Sequence, residues 1–442
     1  MNQARREDRD YFRLRAEWLR LKNQVFDVNV ELPTLAAVLD DIRRLVEDRG
    51  VVGLLYLDLG VASQGEAAHG WIAHDEILRG FGQTLLGLRR DGFIGPRDVV
   101  AVGAVRSDKF ILVVSSPGPS LLDEEALEVL ARSVRSRILD TVVRHLRSAA
   151  LVPVSFHDGH ALLHRDPTVR AERALHGALD QAMLMSLRRR NREEDQRAKD
   201  LDLLVRDGNV ETLYQPIMDL RDLTVVGHEV FSRGPMGGPF EDAEALFALA
   251  ERTGRLLEFE RLCRARALSS TRLHLRSGTK LFLNTTAAAL LDPELSGEAF
   301  QRQVTAHGLI PKDVVLEITE RIAVEERTAS TSALKTLKRF GFRIAIDDMG
   351  AGYASLHSVV EMEPDYTKFD VSLVRNIDRS LIKQSLLETL VELSAKIGAQ
   401  VIAEGIESEA ELTALRDMGV VLGQGRYLAP PAPVLASGSV RP

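Results

Sequence analysis

Acidic and amide side chains recur at one place in the C-terminal half, at the end of successive apolar stretches. The stretch "RIAIDD" closes with Asp347 and Asp348, while "VVGHE" and "LFLN" close with Glu229 and Asn284. The other members of the set are Glu317 in "VVLEITE", Lys368 in "DYTKFD", Glu404 in "VIAEG" and Gln424 in "LGQG". Any one of these residues could be a helix cap or half of a surface ion pair. Their recurrence at one position in successive segments indicates a shared site.

The residue types in this set predict a divalent-metal site. Carboxylates that lie together without counter-charge repel one another, and their pKa values rise. Oxygen ligands with one amide suit hard ions such as Mg²⁺ or Mn²⁺, and the lack of a His or Cys cluster argues against dedicated zinc. Two such ions about 3.5 to 4 Å apart are a recurring arrangement for phosphoester cleavage. Metal-assisted phosphoryl chemistry is therefore the predicted reaction class.

The elements that must position these residues are strands alternating with helices. Apolar, β-rich runs such as "LFLNTT" and "AQVIAEGI" alternate with helix-length segments such as "ALKTLKRFG" and "EAELTALRDMG", which end in a capping glycine. This alternation over the C-terminal half is typical of an α/β barrel, with a doubly wound open sheet as the alternative. In a barrel of parallel strands, the strand ends meet at one rim, so the polar residues would meet there.

The adjacent aspartates need a local break in their strand. Successive side chains of a strand point to opposite faces, so Asp347 and Asp348 reach one site only where regular strand geometry ends. Gly350 and Gly352 follow directly and are predicted to supply that break.

Length and charge patterning predict more than one domain. A chain of 442 residues exceeds one ordinary core, and the charged segment "SLRRRNREEDQRAKDLDLLVRDG" has the composition of a solvated linker helix. The predicted order is listed by residue number: an N-terminal helix at 1–24, an α+β domain at 25–185, the linker at 186–208, the barrel at 209–435 and a tail at 436–442.

Composition excludes several classes of function. The net charge of −7 argues against a broad nucleic-acid surface, so no nucleic-acid partner is expected. The lone Cys263 cannot form an intrachain disulfide, which fits a reducing compartment. The sequence has no apolar run of about 18 residues, and its start lacks a signal-peptide core. The expectation is a soluble, cytoplasmic protein without a membrane partner.

Seven segments of the C-terminal half, taken in order, resemble the EAL domain family of cyclic di-GMP phosphodiesterases. The segments are "EVFSR", "NTT", "EITE", "DDMGAGYASL", "KFD", "AEGIE" and "QGRYLAPP", and the resemblance covers roughly residues 200 to 435. It implies a modified (βα)₈ TIM-like barrel that uses Mg²⁺ or Mn²⁺, two ions in all, to hydrolyse cyclic di-GMP to linear pGpG. It also implies a homodimer formed through this domain.

The resemblance implies a role for each matching residue. The implied metal ligands are Glu229, Asn284, Glu317, Asp347, Asp348 and Glu404, of which Asp348 is directed toward the second ion. Lys368 is implied to position or polarise the attacking water, with Glu404 and Asp348 in the catalytic network. The implied substrate contacts are Gln215, Phe231, Arg233 and Gln424, where Arg233 meets a phosphate. Glu320 is implied to hold the "DDMGAGYASL" loop.

Three positions depart from the usual family pattern. The signature tripeptide is Glu-Val-Phe, Met349 stands in place of Phe, and Ala351 in place of Thr. None of these changes removes an implied metal ligand. The apolar Val230 and Phe231 are expected to alter the shape of the pocket around a guanine base. Met349 and Ala351 are expected to loosen the loop that, in this family, couples dimerisation to metal binding.

The N-terminal half contains the stretches "NVELPTLAAVLDDI", "VPVSFHDGHALL" and "AERALHGALDQAMLMSLRR". By these stretches it resembles, more weakly, a GGDEF domain, the diguanylate cyclase fold. Where the family signature stands, this chain has "RSDKF", with Arg106 and Ser107 in place of two glycines and Lys109 in place of an acidic residue. A cation at that position repels Mg²⁺, and Asp58 alone would hold Mg²⁺ and triphosphate poorly. Arg97 is followed three residues later by Val100, so no inhibitory RxxD pair is found. A degenerate, regulatory domain that could still bind GTP is expected.

Two classes of function therefore compete for the C-terminal half. The first is an active phosphodiesterase. The second is a non-catalytic cyclic di-GMP receptor that acts through a partner, and such receptors are usually marked by loss of one or more site residues. The intact set favours the enzyme. A bifunctional cyclase and phosphodiesterase conflicts with Lys109.

Overall fold

The chain divides into two compact units. The computed structural model describes residues 24–60, 65–105, 107–116, 121–149, 156–238, 240–241, 243–271, 278–319, 327–349 and 362–433. The units are Met1–Gln196 and Arg197–Pro442. Most of the predicted N-terminal helix and the whole predicted tail lie outside the described residues, as do Arg106, Glu320, Gly350, Ala351 and Gly352.

The first unit contains a four-stranded antiparallel sheet and helices. Its strands, in chain order, are β1 Phe26–Asp27, β2 Leu32–Pro33, β3 Val51–Asp58, β4 Val99–Val102, β5 Lys109–Val114 and β6 His157–His164. The larger sheet has the order β4-β5-β3-β6, and β1 pairs with β2. The helices are Leu35–Val38 (3₁₀), Leu39–Arg49, Gly65–Arg90, Glu124–Ala149 and Ala171–Asp207. Apolar side chains of β3 alternate between two buried clusters, which place a core on each sheet face.

The predicted linker belongs to a longer helix. Residues 186–207 continue the helix Ala171–Asp207 without interruption, and Gly208 follows with a positive φ of 65°. The division between the two units falls within this helix, between Gln196 and Arg197. Among the described residues, no helix combines the length and apolar composition needed to cross a bilayer.

The second unit is a closed barrel of eight strands. They are β7 Glu211–Asp219, β8 Val225–Arg233, β9 Lys280–Asn284, β10 Val314–Thr319, β11 Arg343–Met349, β12 Tyr366–Phe369, β13 Gln400–Ala403 and β14 Leu422–Gly423. The α-helices are Ala243–Arg252, Leu256–Thr271, Ala287–Leu290, Gly297–Ala306, Arg327–Arg339, Val371–Val374, Leu381–Lys396 and Glu409–Asp417. Short 3₁₀ helices lie at Pro293–Leu295, Pro311–Asp313 and Ile377–Arg379. The barrel, rather than an open sheet, is therefore the fold of this half.

One strand of the barrel runs against the others. From β8 to β14 each strand is parallel to its neighbour, but β7 is antiparallel to both β8 and β14. The all-parallel geometry used to predict where the strand ends meet therefore does not hold for β7. Its residues reach the same rim with the chain running in the opposite direction.

An apolar layer inside the barrel lies directly below the predicted site residues. One cluster takes a single residue from each of seven strands: Ile217, Phe282, Val315, Ala345, Tyr366, Ile402 and Leu422. On β8 the matching position is Gly227, where a Cβ would lie 2.7 Å from the Phe282 ring. Because side chains alternate along a strand, the next inward position lies two residues further toward the rim. That position is a polar site residue on every strand, and on the reversed β7 it is Gln215, two residues before Ile217.

Candidate metal and catalytic site

The strand ends bring the predicted polar residues into one layer. Lys368 is within β12 and fully buried, and Glu317 is 1% exposed within β10. Glu404 and Gln424 lie one residue beyond their strands, yet the backbone ladder still holds them. The Glu404 N–H donates to the Phe369 carbonyl at 3.1 Å, and the Gln424 N–H to the Ala403 carbonyl at 2.9 Å.

Lys368 is the centre of this layer. Its Nζ lies 2.6 Å from Glu404 Oε1, 2.8 Å from Glu317 Oε1, 3.1 Å from Glu229 Oε2 and 3.3 Å from Asp347 Oδ1. One ammonium therefore faces four carboxylates from four strands or strand ends. With Asp348 included, the formal charge of the ionised cluster is five negative against one positive, a net of −4.

The charge imbalance determines the direction of each pKa shift. Burial alone would lower the pKa of Lys368, but the surrounding carboxylates outweigh it and raise the pKa well above its usual value. Burial, followed by repulsion from Glu229, raises the pKa of Glu317, with Lys368 opposing. Burial raises the pKa of Glu404 to about 8, again against Lys368. Without metal, the cluster therefore keeps Lys368 charged and retains protons on carboxyl groups.

The adjacent aspartates reach the same site through a β-bulge. Between β11 and β12 the register shifts, so that Ile346 to Met349 on one strand oppose Thr367 to Phe369 on the other. The extra residue is accommodated by Asp348, whose φ of 59° is left-handed. The break thus lies within the strand, before the glycines predicted to supply it. Burial, together with repulsion from Asp347, raises the pKa of Asp348 to about 6.

The carboxylates form two overlapping clusters that could hold cations. One contains Glu229, Glu317 and Asp347, and the other contains Asp347, Asp348 and Glu404, with the candidate oxygens of each within 4.8 Å of one another. Asp347 belongs to both, so it could bridge two ions. Glu317 Oε2 is buried and has no hydrogen-bond donor among the described residues, which leaves it free as a ligand. The oxygen donor set and this open position fit a hard divalent cation.

Amide side chains orient the Glu229 carboxylate. Asn284 Nδ2 donates to Glu229 Oε1 at 3.2 Å, and Gln424 Nε2 donates to Glu229 Oε2. Gln215 lies beside Glu229 in the β7–β8 register, but its Nε2 donates to the Ala429 carbonyl at 3.0 Å. Asn284 and Gln424 therefore contact the carboxylate cluster directly, whereas Gln215 supports the segment that follows β14.

The predicted substrate residues on β8 lie nearer the rim than Glu229. Phe231 is half-buried, and Arg233 lies two residues further along β8. Because side chains alternate along a strand, Glu229, Phe231 and Arg233 share one face of β8. Arg233 does not contact the carboxylate cluster and instead pairs with Glu211, 2.9 Å from Nη2 to Oε2. Glu320, the implied loop-holding residue, is outside the described residues.

Two carboxylates near the site were missed by the sequence reasoning. Glu211 contacts Arg233, and Asp370, at the end of β12, contributes to the raised pKa of Asp348 after burial and Asp347. Glu211 could have been found from the register of an antiparallel β7–β8 hairpin. If Gln215 pairs with Glu229, the residue four positions before Gln215 must pair with the residue four positions after Glu229, which pairs Glu211 with Arg233. Asp370 has the ordinary appearance of a helix cap, and its side chain does accept from the Ser372 N–H.

In the N-terminal unit, the structure places Asp58 and Lys109 opposite each other on β3 and β5. Lys109 Nζ lies 3.3 Å from Asp108 Oδ1, and Asp58 and Asp108 are 8% and 7% exposed. Asp108 was a second acidic residue that the sequence reasoning did not weigh. Lys109 therefore contacts one buried carboxylate, Asp108, and lies opposite a second, Asp58, in the sheet register.

Comparison with known proteins gives a family match for the barrel unit. The model of the EAL domain family matches residues 197–431, more than half of the chain. A probable cyclic di-GMP phosphodiesterase, PdeG of Escherichia coli K12, is 29% identical over 234 residues, 51% of this chain and 45% of that protein. The bifunctional diguanylate cyclase/cyclic di-GMP phosphodiesterase MucR of Pseudomonas aeruginosa is 24% identical over 406 residues, 89% of this chain and 57% of that protein. The chain thus spans about half the length of these relatives.

Solved structures resemble the barrel. The phosphodiesterase of PaMucR in complex with c-di-GMP aligns with a TM-score of 0.50 and 25% identity, over 53% of this chain and 96% of that one. The EAL domain of Xanthomonas citri FimX in complex with c-diGMP aligns with a TM-score of 0.51 and 18% identity, over 56% and 99% of the two chains. The second likeness supports the fold alone.

Substituting Asp347→Asn should separate metal binding from folding. Burial raises the pKa of Asp347 in the metal-free site, so a neutral amide there should leave the free energy of unfolding unchanged or slightly higher. Lys368 keeps three carboxylate partners. Mn²⁺ at about one hundred times its Kd should stabilise the parent by about 2.7 kcal/mol and the variant much less, as measured by thermal unfolding with and without metal.

Asp313→Asn provides the matched control at the opposite end of the barrel. Asp313 forms a largely buried pair with Lys280 at 2.7 Å, so its loss should lower the free energy of unfolding by about 3 kcal/mol while leaving the metal-dependent shift intact. An Asp347→Asn protein with the parental metal-dependent shift would contradict the assignment of Asp347 as a ligand.

Proposed function

The chain belongs to the EAL domain family, and from that premise we propose that it hydrolyses cyclic di-GMP to linear pGpG with divalent metal. The observation that carries the proposal is the buried Lys368 ammonium among four carboxylates, beside a bulge that brings Asp348 to the same layer. A receptor without activity needs the nucleotide pocket but not this complete ionic layer. The enzyme is therefore favoured over the non-catalytic receptor.

The two carboxylate clusters are proposed to hold the metal ions. Glu229, Glu317 and Asp347, with Asn284, would hold one ion, and Asp347, Asp348 and Glu404 the other. When bound, such ions supply charge neutralisation at the phosphodiester and a lowered pKa for water. They would also replace the protons that the raised carboxyl pKa values retain, so metal binding and proton release are coupled.

Lys368 is proposed to orient water and to counter negative charge. Its raised pKa keeps it protonated at neutral pH, so it does not serve as the general base. Burial in the strand and contacts to four carboxylates restrict the ammonium to one position. A preorganised cation is effective where charge develops on the phosphoryl group, because it needs no reorganisation during the reaction.

The rim above the metal clusters is proposed to bind the rest of the nucleotide. Arg233 offers a planar guanidinium that suits a phosphate, and the half-buried Phe231 offers an apolar surface for a guanine base. Gln424 and Gln215 lie deeper, where both are buried. Their proposed role is to shape the base of the pocket through Glu229 and Ala429.

Purified protein incubated with cyclic di-GMP and Mg²⁺ or Mn²⁺ should produce pGpG. Calcium should inhibit, because its larger radius and looser coordination disturb a geometry suited to the smaller ions. Lys368→Ala should reduce kcat by about a hundredfold or more with a smaller effect on nucleotide affinity, because a preorganised cation stabilises charge in the transition state. Chromatographic product analysis and single-turnover kinetics measure both effects.

The receptor alternative makes the opposite expectation. If neither metal yields pGpG at any protein concentration while the nucleotide still binds, the protein is a receptor. Near-parental turnover in Lys368→Ala would contradict the role given to that residue.

For the N-terminal unit we propose a regulatory role without synthesis of cyclic di-GMP. Lys109 lies beside Asp108 and opposite Asp58, where its positive charge opposes Mg²⁺ binding. GTP binding there, as a signal to the barrel, is part of the proposal. The helix Ala171–Asp207 leads directly from this unit into the barrel unit.

The isolated unit, residues 1–196, and the full chain should both fail to convert GTP to cyclic di-GMP with Mg²⁺ or Mn²⁺. Lys109→Glu tests the physical reason, since it removes the cation and adds a carboxylate beside Asp58 and Asp108. We expect tighter binding of Mn²⁺ in that variant, measured by calorimetry. Cyclic di-GMP formed from GTP by the unmodified protein would disprove the proposal.

We also propose that the barrel unit pairs with a second copy of itself. The helix Leu381–Lys396 exposes Leu381, Ile382 and Leu386 to 78%, 83% and 46%, which are three of the seven large exposed apolar residues in the described part of this unit. Such a concentration of apolar surface is typical of an interaction site. A homodimer is the occupant that the family resemblance implies.

Ile382→Glu should weaken self-association, because it places a charge in the centre of this apolar surface. Leu291→Glu is the matched control, since Leu291 is also exposed, to 49%, elsewhere on the barrel unit. Sedimentation velocity over a range of concentrations should show a larger monomer fraction for Ile382→Glu only. Equal sedimentation of parent and Ile382→Glu at every concentration would place the dimer contact elsewhere or show a monomer.

A further inference from the structure

The β7–β8 hairpin carries a layered series of side chains on the inner face of the barrel. Pairs that oppose each other in register are, from the deepest outward, Ile217 with Gly227, Gln215 with Glu229, Leu213 with Phe231, and Glu211 with Arg233. Since side chains alternate along a strand, all four pairs share one face. The outermost pair lies four residues, or about 13 Å of strand, from the pair that contains Glu229. It is therefore at the rim of the site rather than in its metal cluster.

Glu211 binds the Arg233 guanidinium from one side. Arg233 Nε donates to Glu211 Oε2 at 3.0 Å, and Nη2 lies 2.9 Å from the same oxygen as an ion pair, so Glu211 holds the guanidinium along that edge. The backbone N–H of Met236, in the loop after β8, lies 3.5 Å from the other oxygen, Glu211 Oε1. Glu211 thus contacts both the Arg233 guanidinium and the loop that follows β8.

The free side of the guanidinium determines what Arg233 can still bind. An arginine has five N–H donors in a fixed planar fork, and the Nε edge is occupied by Glu211. Among the residues that the structure describes, none contacts the Nη1 end, and the side chain of Arg233 is 22% exposed. A guanidinium held along one edge by a hydrogen bond and an ion-pair contact has lost rotamer freedom before a ligand arrives, which reduces the entropy cost of binding.

We propose that Glu211 is a positioning residue for Arg233, holding the guanidinium so that its Nη1 end meets the anionic phosphodiester. The inference rests on the proposed function, because it concerns the same substrate. A carboxylate beside an arginine also opposes an approaching anion. At this partly exposed rim, water screens that repulsion, whereas the orientation fixed by two short contacts persists.

Glu211→Ala should raise the KM for cyclic di-GMP about tenfold, the size expected when charge-assisted hydrogen bonds are lost, and leave kcat within about twofold. Glu211→Gln should restore most of the parental KM, since its amide oxygen can still accept from Nε. Glu298→Ala is the matched control, because Glu298 forms an exposed ion pair with Arg302 outside the site. That control should change neither constant.

A double-mutant cycle with Arg233→Ala tests whether Glu211 acts through the arginine. In the Arg233→Ala protein, the further change Glu211→Ala should alter KM by less than about twofold, because the group that Glu211 positions is gone. A lower KM in Glu211→Ala would show that Glu211 mainly repels the substrate, and would overturn the proposal. So would a tenfold rise in KM that persists in the Arg233→Ala protein, or a Glu211→Gln protein as impaired as Glu211→Ala.

Direct binding separates failure of this inference from failure of the proposed function. The Kd for cyclic di-GMP with Ca²⁺, measured by calorimetry, should follow the same order as KM across the variants. If the parent binds the nucleotide but produces no pGpG, the phosphodiesterase proposal fails while the Kd series still tests Glu211. If the parent hydrolyses and all variants keep the parental KM and Kd, only the role of Glu211 is overturned. A parent that neither binds nor hydrolyses cyclic di-GMP overturns both.

Discussion

The ionic layer around Lys368 is the constraint on which the rest of the barrel depends. An ammonium that is fully buried is costly unless carboxylates compensate it, and four of them lie 2.6 to 3.3 Å away. The carboxylates exceed the charge of one lysine, and burial together with repulsion from neighbouring carboxylates raises the pKa values of Glu317, Asp347 and Glu404. Neither component is stable alone: the lysine needs the carboxylates, and the carboxylates need further positive charge. The excess negative charge of the layer is a feature that divalent cations could neutralise.

The barrel makes such a layer possible because its apolar interior layer, the floor of the site, lies only two residues along each strand from the polar residues near the rim. Seven residues, one from each of seven strands, close the interior, and the next inward position is polar. The floor excludes water from below, which strengthens every electrostatic contact above it. The reversed strand β7 obeys the same rule in the opposite chain direction, with Gln215 before Ile217. The arrangement therefore depends on which residues of each strand point into the barrel, and not on the direction in which the strand runs.

The wall formed by β7 and β8 extends this layering to the rim. Glu229 belongs to the carboxylate layer around Lys368, Phe231 to an apolar layer and Arg233 to an outer charged layer. Regular spacing along the strands thus places a buried carboxylate, an apolar side chain and a cation at increasing distance from the apolar layer inside the barrel. Sites on strands are positioned more accurately than sites on loops, because the backbone ladder fixes both spacing and orientation. The β7–β8 hairpin therefore extends the layered side chains from the carboxylate cluster out to the rim.

The sequence by itself determined the alternation of strands and helices, which favoured a barrel, and the recurrence of polar residues at strand ends, because both are local patterns. Glu317, Asp347 and Lys368 could be read in this way, since each directly continues an apolar run. Only the tertiary structure decided three other features. The antiparallel direction of β7 arises from strand pairing, the bulge at Asp348 from a register shift against β12, and the Glu211–Arg233 pair from a hairpin register. All three are relations between strands, and a single strand's sequence carries no information on which residue of its neighbour it will oppose.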